Sequence, residues 1–213
     1  MKIDADFRRE VALADGTTAA LRMIRPDDKA ELQHEFRRLS PATRYRRFFS
    51  LQADLPEDKL RHLTEVDGVD HVAIVATVDS HDLKREFLLG ISRFVRLPDE
   101  PEVAEAAVTV IDDAQGKGLG RVLLEVLVEA ARERGIGSFR ATVLAENAPM
   151  RHILDAAGAR VREEEDGDAL VFDLSLGEEA PASVRDPDHP LRRLLRSAAQ
   201  SLLAFRFGRG TPS

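Results

Sequence analysis

Residues 108–121 read Val-Thr-Val-Ile-Asp-Asp-Ala-Gln-Gly-Lys-Gly-Leu-Gly-Arg. An apolar strand runs into a loop with glycines at 116, 118 and 120, and an amphipathic helix follows at once. Closely spaced glycines let the backbone turn tightly and approach a ligand with no Cβ in the way. The unpaired N–H groups of a helix start, with the dipole behind them, suit an anion such as a pyrophosphate. The stretch reads as a phosphate-binding loop over 115–121. A ligand-free glycine-rich connection is the plainer alternative.

Spacing narrows the class of phosphate binder. A Walker loop needs Gly-x-x-x-x-Gly-Lys-Ser/Thr, but Lys117 is followed by Gly118 and position 111 is Ile. The dinucleotide fingerprint Gly-x-Gly-x-x-Gly fails because Leu123 follows Gly118 and Gly120 at the third glycine position. What remains is Gln-x-x-Gly-x-Gly at Gln115, Gly118 and Gly120.

Around the loop, strand and helix patterns alternate. Residues 17–24 read as a strand stopped by Pro26, and Asp27 or Asp28 caps a helix carrying Leu32, Phe36 and Leu39 on one face. Ser40-Pro41 opens a short helix whose Tyr45, Phe48 and Phe49 read most simply as core packing, and another starts at Pro56. Residues 71–78 and 86–97 read as a hairpin. A strand over 103–111 follows Pro98 and Pro101, then a helix over 118–134 with Leu119, Leu123, Val126, Leu127 and Ala130 at helical spacing. A strand at 138–144, a helix from Asn147 to Ala157, and strands at 159–163 and 169–174 complete the order. This is an α/β (α+β) arrangement, a mixed central sheet of about seven strands with helices on both faces.

Composition sets the outer limits. The chain has 213 residues, of which 43% are hydrophobic, enough for a full core. No apolar run reaches the roughly 18 residues of a membrane span, and no signal-peptide core opens the chain, so the expected location is cytoplasmic. With no cysteine, disulfides and cysteine nucleophiles are excluded. A net charge of −7 speaks against nucleic acid and suits a cationic acceptor. The six histidines show no ligand spacing, so no metal site is expected. His71 reads as a surface or edge histidine, with a place in an acceptor site as the alternative.

The Gln115-x-x-Gly118-x-Gly120 loop, placed after the fourth of these strands, resembles the acyl-CoA pyrophosphate loop of the GNAT N-acetyltransferase superfamily. Further blocks sharpen the likeness: Ile24-Arg25-Pro26-Asp27-Asp28, Leu39-Ser40-Pro41 with Tyr45-Arg46-Arg47-Phe48-Phe49, Ala73-Ile74-Val75-Ala76, and Ala104-Glu105. Together they are similar to the acetyltransferase domain of bacterial Pat-type protein lysine acetyltransferases, over about residues 11–176. Ala114 and Ala106 depart from the pattern, since relatives commonly carry an aromatic and a larger apolar residue there.

The resemblance implies an acetyl-CoA-dependent N-acetyltransferase acting on protein lysine ε-amines. A small-amine acetyltransferase and a non-catalytic acyl-CoA sensor are the alternatives. A free lysine has a pKa near ~10.4, so its attack on a thioester needs a proton acceptor. Glu105 matches the family's glutamate and is assigned as general base, with Glu102 in reserve; a solvated strand-end carboxylate is the other reading of Glu105. Val108 and Val110 are expected to meet the pantetheine arm through their main chain, with an oxyanion donor near Val110. Gln115, Gly116, Lys117, Gly118, Gly120 and Arg121 would surround the pyrophosphate. Asn147 either reaches the cofactor or caps the following helix. Leu154 stands where many members carry an acidic tyrosine, so no general acid is assigned.

Residues 1–177 are read as the catalytic domain and 178–189 as a linker rich in proline and polar side chains. Residues 190–213 read as a basic amphipathic helix and tail, docking on its own domain or on a second subunit in a homodimer.

Overall fold

Val72, Ala73, Ile74, Val75 and Ala76 are all fully buried, so both faces of the strand that carries them are covered. The two faces meet different helices, and that division organises the molecule. In the computed structural model, residues 2–48, 54–80, 85–145, 159–165 and 169–177 are described. The expected helix after Asn147, the linker and the basic C-terminal helix lie outside them.

Eight strands form one sheet: β1 (Arg8–Ala12), β2 (Thr18–Met23), β3 (His71–Ser80), β4 (Arg85–Leu97), β5 (Glu100–Val110), β6 (Ser138–Leu144), β7 (Arg160–Glu165) and β8 (Ala169–Ser175). Their spatial order is β1-β2-β3-β4-β5-β6-β8-β7. All neighbours are antiparallel except β5 and β6. A parallel pair needs a long crossover, here supplied by the helix α4 (Leu119–Glu133). Three helices precede β3: α1 (Lys29–Arg38), α2 (Pro41–Phe48) and α3 (Glu57–Thr64).

Val72, Ile74 and Ala76 join Leu21, Met23 and Phe94 against Leu119, Leu123, Val126 and Leu127 of α4. Ala73 and Val75 point the other way, with Ile24 and Leu88, toward Leu32 of α1. Phe36, Leu39, Leu60 and Leu63 close the α1–α3 layer. Helices therefore cover both faces, as the sequence pattern implies.

The mixed sheet is as expected, with one strand beyond the seven or so read from the chain: Arg-Arg-Glu-Val-Ala at 8–12 forms an edge strand. Its burial alternates between exposed and half-buried, so it carries almost no hydrophobic signal, and edge strands favour such charged residues. Pro101 does not delay β5, which starts at Glu100. The register breaks between Arg96 and Leu97, and β6 begins pairing only at Val103, so no ladder donor is required of Pro101.

The entry to α1 is held by a buried charge cluster. Arg22 donates to both carboxylate oxygens of Asp28 at 2.7 and 2.8 Å and to Glu86 at 2.7 and 2.9 Å. Asp28 also accepts the backbone N–H of Arg25 at 2.7 Å, which fixes the 3₁₀ turn over Pro26–Asp28.

Candidate active site

The parallel pair β5–β6 is short. Its register runs through Val103–Ser138, Ala104–Phe139 and Glu105–Arg140, and among the described residues it stops there. Beyond Glu105, β5 continues to Val110 and β6 to Leu144 without pairing with each other, each held by its other neighbour. The sheet thus opens into a split bounded on one side by residues 106–110.

Which main-chain groups face the split follows from strand alternation. Ile111 donates its N–H to Leu89 on β4, whereas Glu102 accepts from Gly137 on the β6 side. Successive residues direct their N–H and C=O to opposite sides. Ala106, Val108 and Val110 therefore present their main-chain groups to the split. The side chains of Val108 and Val110 pack into the α4 core. Any contact these two make across the split is a main-chain contact.

At the end of β5 the chain turns through Asp112–Ala114 and the glycine loop into α4. Gly116 and Gly118 take φ of 77° and 85°, left-handed values that disfavour a side chain. Gly118 is the N-cap of α4 and no side chain caps that helix. The first-turn N–H groups of α4 are thus open to an anion. A Cβ on Gly120 would only touch Val110 Cγ2 at 3.6 Å, an ordinary contact, so the fold itself does not demand glycine there.

The side chains expected around the pyrophosphate are already engaged. Gln115 donates from Nε2 to the Val110 carbonyl at 3.0 Å, bracing the loop against the strand it leaves. Lys117 Nζ lies 2.9 Å from Asp15 Oδ2, and its carbonyl accepts the N–H of Ala14. That ammonium, together with the N–H of Thr17, pulls the Asp15 carboxyl down to about 2. Arg121 leans along α4 to Glu125 at 3.5 Å. Anion binding in this loop therefore falls first to the backbone. Asn147 lies outside the described residues.

Glu105 sits on the last paired row before the split and is exposed, with no hydrogen bond or ion pair among the described residues. Its neighbour Arg140 is spoken for by Glu100 at 2.7 and 3.0 Å and by Asp173 at 2.8 and 3.1 Å. Residues paired directly across strands share a face. Glu105 is thus on the α1–α3 face with Val95 and His71, and Ala107 follows with Arg93. Glu102, two positions before the fully buried Ala104, falls on the opposite, α4-facing side of β5.

His71 corrects the reading as a surface histidine. It is 8% exposed, its ring stacks on His62 with centroids 4.8 Å apart, and its Nε2 is buried without a hydrogen bond. Burial, then the Arg93 guanidinium, then His62 push the imidazole down to about 4, against a small opposing pull from Asp67. Asp67 holds the strand entry by accepting the N–H groups of Val69, Asp70 and His71. Tyr45, read as core, is 40% exposed. The side chain of Phe48 and all of Phe49 lie outside the described residues.

Two contacts of the site were not anticipated from sequence. Ser40 reaches Asp112 through both its N–H (3.0 Å) and its hydroxyl (3.2 Å), and Arg38 meets Asp113 at 3.3 Å. Ser40 was legible only as a helix cap, since its partner is 72 residues away.

The profile of the Acetyltransferase (GNAT) family matches residues 27–158. The chain belongs to this family. It is 33% identical over 166 residues to Acetyltransferase PA5475 of Pseudomonas aeruginosa, covering 78% of this chain and 88% of that protein. It is 36% identical over 149 residues to Acetyltransferase Pat of Mycolicibacterium smegmatis, covering 70% of this chain but 43% of that larger protein. Among solved structures, the GNAT domain of S. lividans PAT superposes with a TM-score of 0.70 at 30% identity, covering 81% of this chain and 98% of that one.

As a GNAT acetyltransferase the protein uses acetyl-CoA as its acyl donor. The split between β5 and β6 fits the extended pantetheine arm, and the uncapped start of α4 fits the pyrophosphate. Among the described residues no group of three or more His, Asp or Glu is placed to hold a metal ion, and no helix is long and apolar enough to cross a membrane.

Proposed function

We propose that the enzyme transfers the acetyl group of acetyl-CoA directly to the ε-amine of a lysine in a protein acceptor, with Glu105 as general base. The observation that carries this reading is the position of Glu105: exposed, without a partner among the described residues, and on the row where β5 and β6 part. A carboxylate there stands beside the place where the thioester would lie, on the face lined by α1–α3. The sequence resemblance to Pat-type enzymes and the 36% identity to Acetyltransferase Pat support the acceptor class. The net charge of −7 suits a lysine-bearing surface.

In this scheme the acceptor ammonium loses a proton to Glu105, directly or through a water, and the neutral nitrogen attacks the thioester carbon. Charge developing on the carbonyl oxygen is met by a main-chain N–H of β5 near Val110. The C–S bond then breaks, the nitrogen releases its remaining extra proton to solvent as the amide forms on the acceptor, and the leaving thiolate takes up a proton from solvent. Val108 and Val110 hold the pantetheine arm, and Gly116, Gly118 and Gly120 admit the pyrophosphate to the start of α4.

Incubation with radiolabelled acetyl-CoA and a cell lysate tests the acceptor class. Label is expected in protein, on lysine, after precipitation and digestion. Label confined to small molecules would instead identify a small-amine acetyltransferase.

A further inference from the structure

The corner between α1 and α2 rests on the residues that lead into the glycine loop, and the chemistry of that contact is unusual. Asp112 and Asp113 place two carboxylates immediately before a loop that receives a pyrophosphate. Left in solvent they would repel it. Asp112 is instead turned away, its Oδ2 accepting the Ser40 N–H at 3.0 Å and its Oδ1 lying 3.2 Å from the Ser40 hydroxyl. Ser40 immediately precedes α2, so the carboxylate lies at the positive end of that helix. Hydrogen bonds to a charged group are the stronger kind and hold direction as well as distance.

The same segment is fixed from two other sides. Gln115 ties the loop to Val110, and Lys117 ties it to Asp15 and Ala14 of the β1–β2 turn. The Ser40–Asp112 contact joins the loop to the α1–α3 layer. Arg38–Asp113 runs parallel to it, but both side chains are largely exposed, at 50% and 82%, and such a pair contributes little.

We propose that Ser40 and Asp112 form a latch that positions the acyl-CoA loop and couples it to the α1–α2 corner. Asp112 is thereby a positioning residue for cofactor binding despite its unfavourable charge. The inference rests on the reading of residues 115–121 as the pyrophosphate site.

Charge and latch predict opposite signs, which makes the test sharp. Asp112→Ala removes a negative charge beside the phosphates, so electrostatics alone would tighten acetyl-CoA binding. The latch requires weakening, by about tenfold, as expected for loss of a hydrogen bond to a charged group. Ser40→Ala, which changes no charge, is expected to weaken binding by a smaller factor in the same direction, and Ser40→Thr to restore it. The double variant is expected to be no weaker than Asp112→Ala, since both changes cut one contact.

Binding is read by calorimetry on the full chain, with the unfolding midpoint of each variant recorded without ligand. The latch further predicts that KM for acetyl-CoA rises while kcat stays near the parent value. Tighter binding by Asp112→Ala, or additive losses in the double variant, overturns the latch. Absence of acetyl-CoA binding in the parent protein would overturn the loop assignment instead.

Discussion

Glu105 stands opposite Arg140 in the last register pair before β5 and β6 diverge. Arg140 is held by Glu100 and Asp173, so it does not neutralise its neighbour across the strand gap. The carboxylate is left exposed on the row where the sheet opens.

Glu105→Gln preserves size and polarity but removes the proton acceptor. General-base catalysis typically contributes ~10²–10⁴-fold. Turnover is expected to fall by that order, with acetyl-CoA affinity unchanged in calorimetry. The deficit should narrow as pH rises, because more acceptor amine is already neutral. Parent-like turnover at neutral pH, with chemistry limiting, would leave Glu105 a solvated strand residue.

At Gly120 the protein tolerates a Cβ, since the nearest atom is Val110 Cγ2 at 3.6 Å. Gly120→Glu should therefore fold, yet place bulk and negative charge at the anion site. Loss of measurable acetyl-CoA binding with parent-like circular dichroism is the expected result. Unchanged affinity in a folded variant would refute the loop as the pyrophosphate site.

Asp28 is expected to matter for stability rather than chemistry. Asp28→Ala strips the buried Arg22 of a bidentate partner and the Arg25 N–H of its acceptor. Removing one member of a buried ion pair costs about 3–5 kcal/mol. Glu86 still pairs with Arg22, which places the expected loss near the lower bound. Denaturant unfolding checks it, and a loss under about 1 kcal/mol would mean that Arg22 is readily rehydrated.

His71 predicts a pH dependence. Its imidazole is held down to about 4 in the fold, against 6.5 for a free histidine. Between those values the unfolded chain binds a proton that the native protein refuses, so stability falls as pH falls through the window. One such group contributes a slope of at most about 1.4 kcal/mol per pH unit. Unfolding free energies measured from pH 7 to 4.5 should show this component in the parent and lose it in His71→Gln. Identical pH profiles for the two proteins would show that the imidazole is solvated.

Features with local causes were legible in the chain. The glycine loop, α4 and the β3–β4 hairpin are set by backbone freedom and side-chain period within about 20 residues, and these appear where the pattern places them. The period-two alternation along β5 also puts Glu105 on the face of Ala107 and Thr109. The edge strand β1 was hidden because a polar strand against solvent needs no apolar alternation. Tyr45 misled because an aromatic on a short amphipathic helix looks like core whether or not a neighbouring layer covers it.

By itself, the sequence determined the order of the elements other than the edge strand β1 and the glycine loop between β5 and α4, and it singled out Glu105, with Glu102 in reserve, as the proposed base. Tertiary structure decided where the sheet splits, because the β5–β6 register is set only when two strands far apart in the chain come together. It also decided which charges are spent: Lys117 on Asp15, Arg121 on Glu125, Arg140 on Glu100 and Asp173. Burial of His71 beneath His62 and the bond from Ser40 to Asp112 belong to the same class. Each joins residues far apart in the chain, and such contacts form only when separate elements pack together.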